Sequence, residues 1–168
     1  MSGPDIADIA EIVRRLDDKD QIRDLIYRYA HYADINDREA FASLFVADCV
    51  LDLGPGLGVR RGQAATRHDP SIQKGLTRGV MAMSHLNPNI LITFDGQDRA
   101  NVITAVYSWH RSETVPNGEV WGEYYDVVVR ENGSWKFKER VLKASGDRDY
   151  LTHDWNYLER LPYPAEGE

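Results

Sequence analysis

The sequence predicts an α+β domain in which helices pack on one face of a curved, mostly antiparallel sheet. Two observations lead to this fold class. Apolar residues near the start of the chain recur at helical spacing, whereas the region after residue 84 is rich in Val, Ile, Thr, Tyr and Trp, in runs separated by turn signals. The chain has 168 residues and no repeat or long linker, so we expect a single domain over residues 1–168.

Three helices are expected in the first third of the chain. The first covers residues 5–16, and the acidic segment 17–20 ends it and offers an N-cap to the second. Asn36 and Asp37 end the second helix and cap the third. The apolar face of the first helix consists of Ile6, Ile9, Ile12, Val13 and Leu16. That of the second consists of Ile22, Leu25, Ile26, Tyr29 and Ala33, and that of the third of Ala40, Phe41, Leu44 and Phe45.

The middle of the chain predicts less regular structure. A short strand at residues 49–53 precedes a loop at 54–58, where three glycines and a proline exclude a helix or strand interior. The adjacent basic residues Arg60 and Arg61 are expected in a solvated loop. Residues 63–78 are polar and fit either a helix or irregular structure.

Four β-rich runs follow, at residues 85–95, 99–112, 118–131 and 134–145. The dipeptides Asp95-Gly96 and Asn132-Gly133 predict tight hairpins, and strands joined by such short turns pair antiparallel. The tail, residues 146–168, carries several aromatic side chains. We therefore expect it to pack over an opening of the fold or against a partner subunit.

Composition excludes several functional classes. The formal net charge is −7 and no Lys/Arg cluster is present, so we expect neither a nucleic-acid partner nor an anionic membrane partner. No stretch has the length of a transmembrane helix, and no signal peptide opens the chain. The single cysteine, Cys49, cannot form an internal disulfide and is expected to be a buried apolar residue. Together these features predict a cytoplasmic location.

Asp34 and His85 are the strongest candidates for catalysis. Asp34 ends a helical run, and His85 opens a strand-like run. If the fold brings the two together, the carboxylate can hold the imidazole in one tautomer and stabilise the imidazolium. The imidazole is then a general base able to remove a proton from carbon. Five histidines also permit a metal site, but no His-X-His, His-X-X-X-His or Cys cluster supports one, so no metal or other cofactor is expected.

Other candidates follow from position on the predicted strands. Trp109 and His110 are adjacent, so they point to opposite faces and one of them should face the interior. Tyr124 shares a face with Asp126, and Asn87 follows His85 closely. We take Trp109, His110, Tyr124 and Asn87 as candidate substrate-binding residues. We expect exposed charges on the strands at Lys143, Arg140 and Arg130.

The segment Ile22-Arg23-Asp24-Leu25 through Tyr32-Ala33-Asp34, His85 at the start of the β region, and the hairpin Arg130 to Phe137 resemble the SnoaL-like family of the nuclear transport factor 2-like superfamily. The resemblance covers about residues 18–145. It implies a cone-shaped sheet wrapped around the helices, with a deep apolar pocket inside. It also implies a homo-oligomer, either a dimer or a trimer.

The residue pattern is most similar to that of bile-acid 7α-dehydratase, and the hexachlorocyclohexane dehydrochlorinases and scytalone dehydratases belong to the same group. That resemblance implies a catalytic pair of His85 and Asp34, with Tyr29 as a third catalytic residue. The function expected is a cofactor-independent lyase of the dehydratase type, acting on a hydrophobic cyclic or polycyclic hydroxy-carbonyl compound. The alternatives are an isomerase in the same pocket, or a non-catalytic small-ligand binder or oxygenase accessory subunit.

Overall fold

The computed structural model describes residues 5–67, 82–112, 117–150 and 152–159. Its elements are, in order, α1 (Ile6–Asp34), α2 (Arg38–Ser43), β1 (Phe45–Asp52), β2 (Val59–Arg61), α3 (Gln63–Arg67), β3 (Ala82–Leu86), β4 (Ile90–Phe94), β5 (Arg99–Arg111), β6 (Gly118–Glu131) and β7 (Ser134–Arg148). The predicted α+β class is confirmed. Of the polar segment 63–78, residues 63–67 are helical, and the remainder lies outside the described residues.

Helix α1 is one helix of 29 residues, where the sequence predicted two. It begins after the N-cap Asp5 and runs through the acidic segment 17–20, which contains neither glycine nor proline. Asp18 in that segment is 1% exposed and accepts a hydrogen bond from the Trp135 indole N–H at 3.2 Å. It also pairs with Arg130. The predicted break was wrong because these partners keep the acidic turn helical and buried.

The end of α1 follows from its sequence. Asn36 adopts a left-handed conformation with φ of 61°, which asparagine tolerates better than most residues. The Asn36 N–H donates to the Ala33 carbonyl, and the Asp37 N–H donates to the Tyr32 carbonyl. The Asp37 carboxylate then accepts from the N–H of Ala40 and caps α2. Asp34 is therefore the last helical residue.

The seven strands form one open, curved sheet in the order β2-β1-β7-β6-β5-β3, with β4 also paired to β5. All neighbours are antiparallel except β1 and β7. The predicted run 85–95 is divided into β3 and β4, which pair with successive parts of β5. Pro88 lies in the gap and has no N–H to donate to a ladder. The tight turn at Asn132 and Gly133, both with positive φ, is confirmed.

Strand β7 changes phase near its centre. Phe137 is buried, and strict alternation from it would place Arg140 on the outer face, where the sequence predicted an exposed charge. The pairing with β6 passes from Phe137 to Glu139 and leaves Lys138 as an extra residue. This β-bulge turns Arg140 inward, and its side chain is 0% exposed. The prediction for Arg140 was wrong because a bulge is a property of strand pairing.

The adjacent basic pair also differs from the prediction of a solvated loop. Both residues belong to β2, and Arg60 pairs with Leu51, whose side chain is fully buried. Directly paired residues share a face of the sheet, so Arg60 points inward and is 6% exposed. Arg61 points outward and is exposed.

The core lies between α1, α2 and the concave face of the sheet. Cys49 is buried in it, and burial raises the pKa of its thiol. The stripe predicted for residues 6–16 lies outside this core, with Ile6 86% exposed. Within the described ranges, no helix is long and apolar enough to cross a membrane. The cytoplasmic location and the homo-oligomer remain predictions, as do the domain limits.

The C-terminal segment folds back on the domain. Tyr150 and Trp155 are buried, and residue 157 forms a parallel bridge with Ala144 of β7. The carbonyl of Asp154 accepts a hydrogen bond from the Gly56 N–H at 2.9 Å, which ties the segment to the loop after β1. The tail therefore covers part of its own fold. Residues 160–168 lie outside the described part of the chain.

Candidate active site

A pocket opens between the C-terminal end of α1, α2 and the concave face of the sheet. The space between its wall atoms is about 830 Å³, counting the open mouth. Much of the wall is apolar, formed by Phe41, Leu53, Leu57, Val106, Val120 and Leu142. Polar and aromatic side chains converge at one side, among them Tyr29, His85, Ser108, His110, Tyr124 and Tyr150. An apolar cavity with a few convergent polar groups is the usual form of a small-molecule site.

His85 and Asp34 are in direct contact. The Nδ1 atom of His85 lies 2.6 Å from the Asp34 Oδ1 atom, and the His85 backbone N–H donates to Oδ2 at 3.1 Å. Both carboxylate oxygens therefore hold one residue, and the ring is fixed in orientation. Because a carboxylate accepts, the neutral form of this imidazole carries its proton on Nδ1 and its lone pair on Nε2. The His85 side chain is 9% exposed and lines the pocket.

Tyr29 and Asp34 lie on different sides of His85. Residues five apart on a helix differ by about 140° in direction, so the two side chains do not share a face of α1. Tyr29 points into the core and lines the pocket, with its ring centroid 6.5 Å from that of His85. Asp34, in the last turn, contacts β3 instead. Asp34 positions the imidazole without itself lining the cavity wall.

A second imidazole faces the first. His110 lies on the inner face of β5, and its ring is perpendicular to that of His85 at a centroid distance of 5.6 Å. Its Nδ1 atom is 3.2 Å from the Ser108 hydroxyl, and its Nε2 atom is 3.5 Å from the Tyr150 hydroxyl. Alternation along β5 explains its direction, because the buried Val106 and Ser108 precede it at two-residue spacing.

Tyr124 also lines the pocket, beside Tyr29, at a ring-centroid distance of 5.6 Å. Behind them, the Arg140 guanidinium carbon lies 4.0 Å from the Tyr29 ring centroid and 4.1 Å from that of Tyr124. Asp126 binds this guanidinium through two hydrogen bonds of 2.8 Å. Burial raises the pKa of the Tyr124 hydroxyl well above its usual value, and Tyr29 adds to that rise. Tyr124 is therefore a neutral hydrogen-bond donor.

Burial by itself would lower the pKa of the Arg140 guanidinium, but the Asp126 carboxylate more than offsets this, so the pKa is raised and the group stays charged. Sequence reasoning missed this pair. The available signal was weak, because a strand arginine and a strand aspartate are ordinary surface residues.

Two of the candidate substrate-binding residues lie away from the pocket wall. Trp109 points to the outer side of β5, where its indole N–H donates to the Asn117 side chain at 3.2 Å. Asn87 is 9% exposed and is not part of the described pocket lining. Across the described ranges, no three His, Cys, Asp or Glu side chains group as metal ligands do.

Several solved structures are similar to this one. A scytalone dehydratase-like protein from Novosphingobium aromaticivorans is 32% identical, with a TM-score of 0.80 over 90% of this chain and 99% of that one. A type 2 hexachlorocyclohexane dehydrochlorinase is 18% identical, with a TM-score of 0.72 over 93% and 99%. The type 3 enzyme from Novosphingobium barchaimii is 17% identical, with a TM-score of 0.71 over 90% and 99%. The last two show a shared fold only.

Among curated proteins, none matches the chain. The sequence profile of the SnoaL-like domain matches residues 14–141, which is most of the chain and includes both His85 and Asp34. This match and the fold establish the predicted family, and the chain belongs to the SnoaL-like domain family.

Proposed function

We propose that this protein is a cofactor-independent lyase that removes water from a hydrophobic cyclic hydroxy-carbonyl compound. One observation carries the proposal. An imidazole in the wall of an apolar pocket is held through Nδ1 by a carboxylate at 2.6 Å, which leaves Nε2 as the basic atom. The similarity to a scytalone dehydratase-like protein supports the same class of reaction.

In the proposed mechanism, Nε2 of His85 takes the proton from the carbon next to the carbonyl group. The electron pair moves onto the carbonyl oxygen, and Tyr29 or Tyr124 donates a hydrogen bond to the resulting enolate. The pair then returns to form a carbon–carbon double bond as the bond to the hydroxyl breaks. The imidazolium form of His110 gives a proton to the departing hydroxide, so the products are an unsaturated carbonyl compound and water. The proton that His85 has taken then returns to His110 through solvent, which restores both residues.

His110 is the reason for preferring elimination over isomerisation. An isomerase needs one base and a donor for the enolate, which His85 and the tyrosines would supply. Elimination also needs an acid for the leaving group. The second imidazole lies 5.6 Å from the first, between centroids, on the same pocket. The two imidazoles are in edge-to-face contact, so one substrate ring bound against them can contact both.

The probe for this function is 3-hydroxy-1-tetralone, whose elimination yields 1-naphthol and water. We expect naphthol formation by the wild-type protein, followed by fluorescence. His85→Asn should lower kcat/KM by about 10²- to 10⁴-fold, because it removes the base and keeps a similar volume. His31→Asn is the matched control, since His31 is an exposed histidine of α1 and lies outside the described pocket lining.

A second substrate separates the alternatives. 1-Tetralone has no leaving group, so in D₂O it reports proton removal alone, as loss of the C2 proton signal by NMR. Elimination predicts both naphthol formation and exchange, each dependent on His85. Exchange without naphthol would favour the isomerase, and neither reaction in the presence of tight ketone binding would favour a non-catalytic binder. Naphthol formation that survives His85→Asn would contradict the proposed base.

A further inference from the structure

A tyrosine of the C-terminal segment lies in the pocket beside the proposed acid. Tyr150 lines the pocket, and its hydroxyl is 3.5 Å from Nε2 of His110. The two rings are nearly perpendicular, with a centroid distance of 5.1 Å. Tyr150 lies beyond residues 14–141, the range that the family profile matches, so membership of the family says nothing of its role. Its place in the pocket depends on how this chain folds its tail.

The tail holds Tyr150 against the sheet. The Tyr150 ring packs on the Trp155 ring at a centroid distance of 5.3 Å, and the Trp155 indole N–H donates to the Asp147 carboxylate at 2.9 Å. Ala144 of β7 makes two backbone hydrogen bonds to the same segment, of 2.8 and 2.9 Å. Because these contacts fix its ring, Tyr150 presents its hydroxyl to the pocket from one position.

Both ring nitrogens of His110 face protein hydroxyls. Nδ1 is 3.2 Å from the hydroxyl of Ser108, which precedes His110 by two residues in β5. Ser108 is therefore at the nitrogen that corresponds to the one Asp34 holds on His85, and it orients the ring. Nε2 is left for proton transfer, and the Tyr150 hydroxyl lies beside it. A phenol hydroxyl both donates and accepts hydrogen bonds, so it can pass a proton on.

We propose that Tyr150 binds the leaving hydroxyl of the substrate and passes to it the proton of His110. As the carbon–oxygen bond breaks, the departing hydroxide takes the proton of the Tyr150 hydroxyl, and the phenolic oxygen takes the proton on Nε2 of the His110 imidazolium. This step yields water, a neutral tyrosine and a neutral imidazole. The relay rests on the proposed elimination, whereas binding of the hydroxyl requires no turnover.

Ligand binding tests the hydroxyl contact without turnover. In the His85→Asn variant, which lacks the proposed base, calorimetric titration compares 3-hydroxy-1-tetralone with 1-tetralone. We expect the hydroxyl to improve affinity by about fivefold, in the range of a neutral hydrogen bond, and Tyr150→Phe to remove this preference. Tyr157→Phe is the matched control, since Tyr157 belongs to the same tail, is 56% exposed and donates its hydroxyl to the His153 carbonyl. Equal affinity for the two ketones, or a preference that survives Tyr150→Phe, would overturn the subsite.

A change of leaving group tests the proton relay. 3-Acetoxy-1-tetralone gives the same naphthol, but acetate departs without needing a proton. Tyr150→Phe should lower kcat/KM for the hydroxy compound by about 10²-fold and leave that for the acetoxy compound within about threefold of the wild-type value. A merely structural role would lower both values alike, and that result would overturn the relay. A selective loss in Ser108→Ala that is absent from Tyr150→Phe would overturn it too.

The proposed function and the subsite fail separately. If neither substrate yields naphthol but the hydroxyl preference depends on Tyr150, the proposed function and the relay are wrong and the hydroxyl subsite stands. If naphthol formation depends on His85, and Tyr150→Phe changes neither the binding preference nor the dependence on leaving group, the subsite is wrong and the proposed function stands.

Discussion

The buried pair of Asp126 and Arg140 gives a sharp prediction about stability. Both side chains are 0% exposed and joined by two hydrogen bonds of 2.8 Å. Asp126→Leu leaves the guanidinium buried beneath the aromatic rings without its counter-charge. Removing one partner of a buried ion pair costs about 3–5 kcal/mol. Two lost hydrogen bonds to charged groups, at about 1.5–3 kcal/mol each, give a similar sum.

Urea unfolding would measure this loss as a change in the free energy of unfolding. The double variant Asp126→Leu with Arg140→Met should be more stable than Asp126→Leu alone, because an apolar pair replaces the unpaired charge. The exposed pair of Asp20 and Arg23, 2.9 Å apart on α1, is the control, and Asp20→Asn should change little. The reasoning fails if Asp126→Leu loses less than about 1 kcal/mol, or if the double variant is the less stable one.

Two further predictions concern β6. Gly122→Ala should lower the free energy of unfolding by about 3 kcal/mol, because a Cβ atom there would lie 2.1 Å from the Lys143 carbonyl oxygen; an unchanged urea midpoint would contradict this. The pKa of the Tyr124 hydroxyl is raised in the folded protein, so above a pH of about 10 only the unfolded state loses the hydroxyl proton. The free energy of unfolding then falls by up to about 1.4 kcal/mol per pH unit. Tyr124→Phe should flatten that decline between pH 10 and 11, and an equal slope would show that Tyr124 is not its source.

Local sequence signals predicted much of the fold. The helical spacing around Ile22 and Tyr29, the β-rich runs after residue 84 and the Asn132-Gly133 turn each act over a few residues, so they can be read along the chain. The helix end at Asp34 and the alternation along β5 belong to the same class. His85 and Asp34 were found as a pair through the family pattern of these elements, and the fold places them in contact.

The sequence-based predictions were wrong where residues distant in the chain decide the local structure. The acidic turn at Asp18 stays helical because Trp135 and Arg130, more than a hundred residues later, donate hydrogen bonds to its carboxylate. Arg60 faces inward because of its partner on β1. In each case the local sequence is compatible with both outcomes, and the partner selects one.

By itself, the sequence determined the α+β class, since periodicity and turn chemistry are local properties. Its resemblance to the SnoaL-like family indicated the imidazole–carboxylate pair. The tertiary structure alone decided which charges enter the interior. A one-residue bulge at Lys138 reverses the facing of the strand beyond it and brings Arg140 beneath the pocket tyrosines. Such a bulge depends on the register between two strands, which the residues of either strand alone do not specify.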